Sequence, residues 1–395
     1  MRIAIFASEI PSTVFIENLI KGLAMRGHTI YVYGKYIKNP HYENYNNIHT
    51  VKEPKSKLGM SLYALKYILK LLINNPRKLL WLLKVSKAQS YLYWVYRFNL
   101  YASIAVLEVD IFHIQWVNSL LYIDSFVEHK IAKTVVSFRG THLNSTPLYL
   151  KACREAYERV FPQVDGFHGV SNAIIEEAKK YDIALGERAH VAYPAVTSST
   201  LARFKVTTKH AKTEFHAISI GRHHWKKGYN YAFDAVKILK DKEIPIIYTI
   251  VAHGTLDEQL VYQINELGIQ DQIKITGGLS HDKVLDTAQN SDVFLLPSLE
   301  EGVANVVLEA MAIGTPVVST DCGGMLEVIK DGVNGYIVKS GYSNLLAEAL
   351  EKVYNLNAEH RKNLIINAHQ TIKEKHTLET QLNEMEKLYH KVLES

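Results

Sequence analysis

Several features that mark particular protein classes are scarce in this chain of 395 residues. It has only two cysteines, Cys153 and Cys322, which excludes a disulfide framework, and their spacing matches no zinc motif. No uncharged apolar run approaches the roughly 18 residues that a membrane-spanning helix needs. The opening MRIAIFASEI has a very short apolar run and indicates a first β-strand, not a signal peptide. We therefore expect a cytoplasmic protein.

Nucleotide-binding and metal-binding motifs of common type are also missing. Neither G-x-G-x-x-G nor G-x4-G-K-[ST] occurs, which disfavours a dinucleotide-dependent dehydrogenase and a P-loop nucleotidase. No group of His, Cys and carboxylate residues has metal-ligand spacing. We expect no metal site and no cofactor.

What is present predicts two α/β domains. A chain of 395 residues is too long for one core, and 47% hydrophobic with 22% charged residues is typical of a globular protein. Apolar strands alternate with helical patterns on both sides of a polar segment at 196–213, which we interpret as a linker. We expect doubly wound parallel sheets at 1–195 and 214–375, and a helix at 376–395 that packs back on the first domain.

The first domain contains a basic helical stretch at about 52–105. Between Lys52 and Arg97 there are ten basic residues and one acidic residue, although the formal net charge of the chain is only +5. Apolar residues recur here at helical spacing, namely Leu62, Leu65, Leu69 and Leu72. A basic amphipathic helix favours an anionic membrane surface, and a helix packed on the domain with its lysines in water is the alternative. Nucleic acid fits less well, because no nucleic-acid-binding module accompanies the charge.

Two glutamates, Glu301 and Glu309, stand with seven residues between them after an apolar strand. The sequence predicts a strand at 293–296, a turn at 297–302 and a helix at about 303–313. In an open parallel sheet, ligands bind at the carboxyl ends of the strands, and a helix that starts there presents backbone N–H groups to an anion. Carboxylates accept hydrogen bonds from sugar hydroxyls, so the pair suggests a sugar nucleotide. A glycosidase acid/base pair and plain surface positions are the alternatives.

A second loop, from Gly221 to Gly228, follows the first strand of the second half. Within it, Arg222 offers a planar fork for phosphate oxygens and Lys227 a mobile positive charge. Two cations at the carboxyl end of a sheet would neutralise a departing diphosphate. Lys226 is expected to be an ordinary solvated residue.

Taken together, these motifs resemble glycosyltransferase family 4. The resemblance is carried by Gly221-Arg222, Lys227-Gly228, Glu301-x7-Glu309, Gly314-Thr315-Pro316 and Gly323-Gly324. It implies the GT-B fold, with two Rossmann-like domains facing across a cleft, and mainly retaining enzymes that use nucleotide sugars without a metal. The segments 7–16 and 137–140 are similar to bacterial exopolysaccharide and colanic-acid-type transferases. No Asp-x-Asp occurs, so a metal-dependent transferase of the other fold class is disfavoured.

The same resemblance implies roles for individual residues. Arg222 and Lys227 would hold the diphosphate, Glu309 would take the ribose hydroxyls, and Glu301 would contact the donor sugar. Further donor-side candidates, including three that would act through backbone N–H groups, are Gly221, Gly302, Val303, Ala304, Asn305, His253 and Arg139.

This chain departs from the family pattern in the first domain. Where many members have a His-Gly pair, it has Arg139-Gly140, with His142 two residues further on. A second familiar pattern, His-x-His, becomes His113-Ile114-Gln115. We keep His113 and His142 as candidates for contact with the reacting sugars, and a packed core histidine is the alternative for His113.

The sequence thus predicts a glycosyltransferase that moves a sugar from a nucleotide donor to a glycan or lipid-linked acceptor with retention of configuration. Its place would be cell-surface polysaccharide biosynthesis, in the cytoplasm or on the inner face of the membrane. The alternatives are an epimerase or hydrolase of the same fold and a non-catalytic protein that binds nucleotide sugars.

Overall fold

The computed structural model describes residues 1–52, 56–88, 90–206 and 213–395. These residues form two compact units, and the chain passes between them more than once. Unit 1 consists of Met1–Val170, Ile174–Ala192 and Leu382–Ser395. Unit 2 consists of Ser171–Ala173 and Tyr193–Gln381.

Unit 1 is built on a seven-stranded parallel sheet with the order β3-β2-β1-β4-β5-β6-β7. Its strands are β1 (Arg2–Ile10), β2 (Thr29–Tyr36), β3 (Ile48–Lys52), β4 (Ile111–Ile114), β5 (Lys133–Phe138), β6 (Gly166–Gly169) and β7 (Ala189–Val191). The central strand β1 is buried from Ile3 to Ala7 without interruption, because helices cover both faces of a parallel sheet.

Eleven helices accompany these strands among the described residues. They are α1 (Val14–Met25), α2 (Lys57–Asn74), α3 (Pro76–Val85), α4 (Tyr91–Leu107), α5 (Leu120–Glu128), α6 (Thr141–Asn144), α7 (Thr146–Tyr149), α8 (Lys151–Val160), α9 (Asn172–Ala178), α10 (Leu185–Arg188) and, at the end of the chain, α19 (Leu378–Glu394). Helix α19 packs tightly in unit 1 from Leu382 onwards. A Cβ atom on Gly166 in β6 would lie only 2.4 Å from Val392, and Glu384 bonds to His190 in β7 at 2.7 Å.

Unit 2 is built on a six-stranded parallel sheet with the order β10-β9-β8-β11-β12-β13. Its strands are β8 (Phe215–Ile220), β9 (Ile246–Val251), β10 (Ile273–Thr276), β11 (Val293–Leu296), β12 (Val317–Thr320) and β13 (Tyr336–Val338). Its helices are α11 (Ser198–Leu201), α12 (Tyr229–Asp241), α13 (Glu258–Glu266), α14 (His281–Gln289), α15 (Asn305–Ile313), α16 (Met325–Val328), α17 (Ser343–Tyr354) and α18 (Ala358–Lys375).

Two hydrophobic cores flank the sheet of unit 2. Helices α14, α15 and α18 contribute to one core, and α12, α13 and α17 contribute to the other. The order of strands reverses between β8 and β11. The segments that follow these two neighbouring strands therefore lead to opposite faces of the sheet. This arrangement leaves a crevice at their carboxyl ends, where ligands of such sheets bind.

The predicted α/β class with two Rossmann-like sheets is confirmed, while several boundaries differ. The strands β3, β7 and β13 were not predicted; they are edge strands, and β7 and β13 have only three residues each. The segment expected to be a linker, 196–213, lies partly outside the described residues. Its described part belongs to unit 2 and contains α11, whose start Thr197 caps through its side chain. No helix in the described ranges is both long and apolar enough to cross a membrane.

A chain of neutral hydrogen bonds runs through the interior of unit 1. It joins the Tyr389 hydroxyl to His113 Nδ1 at 2.7 Å, His113 Nε2 to Ser137 Oγ at 2.7 Å, and Ser137 Oγ to His168 Nδ1 at 2.8 Å. The last link, from His168 Nε2 to the carbonyl oxygen of Ala192 at 3.0 Å, sets the direction, because that nitrogen must donate. Ser137 Oγ then donates to His168 Nδ1, His113 Nε2 donates to Ser137 Oγ, and the Tyr389 hydroxyl donates to His113 Nδ1. Burial lowers the pKa of both histidines, that of His168 to about 3.

These buried histidines predict a loss of stability in mild acid. Burial also lowers the pKa of His376 in unit 2, to about 4. In the unfolded chain all three imidazoles take up protons below about pH 6.5, whereas in the folded chain they stay neutral. Protonation therefore lowers the free energy of the unfolded state relative to the folded state. Each histidine then removes about 1.4 kcal/mol of stability per pH unit. We expect the thermal midpoint to fall steeply between about pH 6.5 and pH 5, and His360→Gln, on an exposed helix position, to leave that slope unchanged. A thermal midpoint that stays constant over this pH range would contradict the assignment of these buried histidines as neutral.

Candidate functional site

Three loops meet at the carboxyl edge of the sheet in unit 2. The loops after β8 and β11 are joined by a hydrogen bond of 2.7 Å from the Leu299 N–H to the Lys226 carbonyl oxygen. The loop after β12 joins them through a hydrogen bond of 2.7 Å from the Gly324 N–H to the Gly302 carbonyl oxygen. The motifs that lie far apart in the sequence are therefore in direct contact.

Two glycines make this approach possible. At Gly228, φ is +64° and an added Cβ atom would lie 2.1 Å from the carbonyl oxygen of Pro297. At Gly323, φ is +56° and an added Cβ atom would lie 1.9 Å from the carbonyl oxygen of Glu301. No side chain fits either gap, and both backbone conformations favour glycine. The glycines of the motifs thus allow the three loops to touch.

Lys227 and Glu301 form an ion pair where the loops meet. Lys227 Nζ lies 2.5 Å from Glu301 Oε1, and the two side chains are only 14% and 12% exposed. The Ser298 hydroxyl donates to the same carboxylate oxygen at 3.1 Å. In the described residues no group donates to the second oxygen, Oε2. The carboxylate is therefore held by one oxygen and can accept a ligand hydroxyl with the other.

Further cations surround this pair. Arg222 is exposed and forms no ion pair within the part of the chain that the structure describes. Lys226 is buried, which corrects the expectation of a solvated residue; its carbonyl bonds to the loop after β11 and draws the residue inward. Burial lowers the pKa of Lys226. Burial, and then the charges of Lys226 and Arg222, lower the pKa of His224. The positive charges of Arg222 and Lys226 favour the binding of an anion next to this pair.

Helix α15 starts beside this cluster, two residues later than predicted. Of the three backbone N–H groups predicted to meet an anion, that of Ala304 donates to Met325 Sδ at 3.5 Å, and those of Val303 and Asn305 have no such partner among the described residues. The buried side-chain oxygen Asn305 Oδ1 also has no hydrogen bond there. The start of α15 therefore retains polar groups that a ligand can satisfy.

Glu309 lies in the second turn of α15. Its Oε1 atom bonds to Nε2 of His281, the first residue of α14, at 2.9 Å. This hydrogen bond raises the pKa of His281. As with Glu301, the second carboxylate oxygen receives no hydrogen bond from the described residues.

His253 lies at the same edge of the sheet, after β9. Its ring covers Gly278 in the loop after β10, where an added Cβ atom would lie 1.8 Å from the imidazole. The ring therefore lies directly against the backbone of Gly278. The described residues contain no group of three or more side chains arranged to hold a metal ion.

The candidates of unit 1 lie in two different settings. His113 has no exposed surface and both its ring nitrogens are bonded inside the core, so the structure places it as a packed core histidine. Arg139 donates to the carbonyl and side-chain oxygens of Gln115, and its guanidinium lies 4.7 Å from the Phe15 ring centroid. His142 contacts Trp116 edge to face at 5.9 Å. Arg139 and His142 thus lie at the carboxyl edge of their own sheet.

The sequence did not predict several residues that lie next to the candidates of unit 2 and unit 1. Ser298 and His281 each bond to a candidate glutamate, but neither belongs to a motif. In unit 1, Phe15 and Trp116 pack against each other at 6.1 Å. A polar residue two positions after a buried strand would have been a usable signal for Ser298, which is itself buried. For His281 we see no signal, because it precedes its partner by 28 residues on another helix.

Comparison with known proteins shows what unit 2 is similar to. The Glycosyl transferases group 1 family matches residues 202–371, which include all three loops. Over this segment, which is less than half of the chain, the sequence is similar to that family. The resemblance that the motifs carried is thereby confirmed at the level of this group.

Relatives and solved structures extend the likeness. The chain is 34% identical over 139 residues to the amylovoran biosynthesis glycosyltransferase AmsK of Erwinia amylovora, a match that covers 34% of each chain. The matched segments span 34% to 40% of the first curated relatives. A glycosyltransferase from Rickettsia africae ESF-5 superposes with a TM-score of 0.73 at 16% identity, over 100% of this chain and 99% of that one. Anabaena Alr3699/HepE, solved with UDP and glucose, gives 0.72 at 16% identity over 98% of both chains. The predicted GT-B fold is confirmed.

The contact between the loops predicts that a side chain at position 228 lowers the thermal stability of the protein. Gly228→Ala would force the Cβ atom into the Pro297 carbonyl, whereas Gly268→Ala has a similar φ of +61° and open space around it. Backbone strain alone costs about 1–2 kcal/mol in each variant. We expect Gly228→Ala to lower the thermal midpoint clearly more than Gly268→Ala. Equal losses would show that the two loops do not need to touch.

Proposed function

We propose that this protein is a glycosyltransferase that moves a sugar from a nucleotide-sugar donor to a hydroxyl of a glycan or lipid-linked acceptor. The observation that carries the proposal is the Lys227–Glu301 pair at the switch point of unit 2, with Arg222 and the start of α15 beside it. A site with one exposed arginine, a lysine paired to a carboxylate, N–H groups without a partner among the described residues and two carboxylates held by one oxygen each fits a ligand that has both phosphates and hydroxyls. A nucleotide sugar is such a ligand.

Lys227 and Arg222 would stabilise the leaving group. As the bond between the sugar carbon and the diphosphate oxygen breaks, negative charge grows on the diphosphate. The ammonium of Lys227 has three N–H donors and uses one for Glu301, so the others can meet phosphate oxygens. The bond to the acceptor oxygen forms on the same carbon, and the acceptor proton passes to a phosphate oxygen. No strong protein base is then required.

The two glutamates would bind different parts of the donor. Glu301, tied to Lys227, would accept a hydrogen bond from a hydroxyl of the transferred sugar. Glu309 would accept hydrogen bonds from the ribose. Because Glu301 and Lys227 share a hydrogen bond, a correct sugar and a correct diphosphate would be sensed together.

The relatives support the finer parts of the proposal. AmsK is named for the biosynthesis of amylovoran, which favours a role in polysaccharide synthesis. The Anabaena structure contains UDP and glucose, which favours a nucleotide-sugar donor. Retention of configuration, the use of a hexose and independence of metal follow from the resemblance to glycosyltransferase family 4, and we include them in the proposal. Arg139 remains a donor-side candidate, and His142 remains a candidate for contact with the reacting sugars.

Association with the inner face of a membrane is a second part of the proposal. Helix α2 buries Ala64 and Leu71, whereas its outer side exposes six large apolar residues by 50% to 81%. These outer residues are Leu58, Leu62, Leu65, Leu69, Leu72 and Ile73. The lysines Lys66 and Lys70 lie on the same helix, and basic residues continue into α3. Such a face matches the apolar boundary and the negative charge of an anionic lipid surface. The protein would then be cytoplasmic and peripheral.

The donor site can be tested with matched pairs of variants. Lys227→Ala and Glu309→Ala each remove a charge-assisted contact worth about 1.5–3 kcal/mol, so nucleotide affinity should fall by about 10- to 100-fold. Lys352→Ala and Glu348→Ala, at exposed positions of α17, change the charge equally and should leave affinity unchanged. Calorimetry with UDP, GDP and ADP provides the measurement, and thermal unfolding confirms that each variant is folded.

The same panel identifies the outcome that contradicts the site. If neither Lys227→Ala nor Glu309→Ala changes the affinity for any of the three nucleotides, the site is elsewhere. Incubation of a nucleotide sugar without acceptor tests the reaction class, because fast and complete breakdown would indicate a hydrolase or epimerase.

The membrane surface can be tested by sedimentation with vesicles. We expect the protein to bind vesicles that contain phosphatidylglycerol, to bind less as salt rises, and to ignore vesicles of phosphatidylcholine alone. The double variant Leu62→Ser/Leu69→Ser should lose binding, whereas Ile183→Ser, at an exposed apolar residue away from α2, should not. Absence of binding at low salt would exclude this surface.

A further inference from the structure

The carboxylate of Glu309 does not stand alone in unit 2, because a histidine from a neighbouring helix holds it. His281 begins α14, and its Nε2 atom lies 2.9 Å from Glu309 Oε1. The side chain of Glu309 is 21% exposed and that of His281 is 47% exposed. The pair therefore lies at the surface of the crevice edge and not in the core.

The chemistry of the two groups determines what this contact does. An ionised carboxylate can only accept hydrogen bonds, so Nε2 of His281 carries the proton whether the ring is neutral or charged. Oε1 of Glu309 is engaged by this donor. In the described part of the chain, Oε2 receives no hydrogen bond. Oε1 is thus held by His281, and Oε2 can accept a hydrogen bond from a ligand.

Helix α14 is itself held in place. Arg203 donates to Asp282 at 3.0 Å and also to Asp286, both on α14. These bonds fix the helix whose first residue is His281. The charged groups that face the imidazole are Glu309 from α15, Asp282 on its own helix and Arg203 from the segment after α11.

The second glutamate of the site shows the same arrangement. Oε1 of Glu301 is held by Lys227 and Ser298, and its Oε2 atom has no partner among the described residues. His281 does for Glu309 what Lys227 and Ser298 do for Glu301. A carboxylate that is fixed before the ligand arrives loses less rotational freedom on binding.

We propose that His281 is a positioning residue that orients the Glu309 carboxylate so that its free oxygen meets the ribose hydroxyls of the nucleotide donor. This inference rests on the proposed function, because it takes Glu309 as the ribose contact. His281 itself need not touch the ligand. Its loss would therefore affect only ligands that have hydroxyls for Glu309 to bind.

A cycle of variants and ligands tests this dependence. The variants are His281→Ala, His281→Gln, which retains an N–H donor, and Lys283→Ala, an exposed control on α14. The ligands are UDP and 2′,3′-dideoxy-UDP, replaced by the corresponding GDP or ADP pair if the nucleotide panel selects one of those. We expect His281→Ala to weaken UDP binding by about 3- to 10-fold, as for the loss of one hydrogen bond, and to leave binding of the dideoxy form unchanged. His281→Gln should restore most of the loss, and Lys283→Ala should change nothing.

Two outcomes would overturn the inference while the proposed function stands. In the first, Glu309→Ala weakens UDP but His281→Ala does not. In the second, His281→Ala weakens both ligands equally, which indicates a general structural role. If the wild-type protein binds none of the three nucleotides, the proposed function fails and this inference fails with it.

Discussion

The contact between the loops after β8 and β11 is the constraint on which the site depends. These loops leave neighbouring strands towards opposite faces of the sheet, and without a specific bond they would diverge. A glycine at 228 lets the backbone reach the Pro297 carbonyl, a backbone hydrogen bond joins Lys226 to Leu299, and the Lys227–Glu301 pair closes the contact. Because the pair is mostly shielded from water, its attraction is screened less than that of a surface pair. One positive and one negative group are thereby held at the edge of the sheet where we propose that the donor binds.

The arrangement of the two glutamates explains how carboxylates could serve in the proposed diphosphate site. Each is anchored through one oxygen, Glu301 by Lys227 and Ser298, and Glu309 by His281. A carboxylate neutralised in part by a cationic or N–H donor repels a diphosphate less than a free one would. Its other oxygen still accepts a hydroxyl. The same residues can therefore bind the hydroxyls of a ligand without preventing its phosphates from binding next to them.

The contact between the motif loops of unit 2 could be predicted from sequence because it follows from topology. Parallel strands bring their carboxyl ends to one edge, so Lys227 and Glu301 meet although 74 positions separate them. Contacts between side chains of different helices do not follow from any such rule, and His281 was missed for that reason. The histidine pattern at His113 left two alternatives that only packing could separate. Periodicity also predicted α2, but not that it buries Ala64 and Leu71, because the buried face depends on how α2 packs against its neighbour α4.

Hydrogen–deuterium exchange with and without a saturating nucleoside diphosphate shows whether a nucleotide binds at this edge of the sheet. We expect slower exchange in the loop at 221–229 and at 298–309, around the start of α15, because a bound diphosphate would engage their backbone N–H groups and close the loops. Helix α2, at Lys57–Asn74, should exchange at the same rate in both conditions. Slower exchange confined to segments outside these two loops, with the loops themselves unchanged, would contradict the placement of the nucleotide at this edge of the sheet.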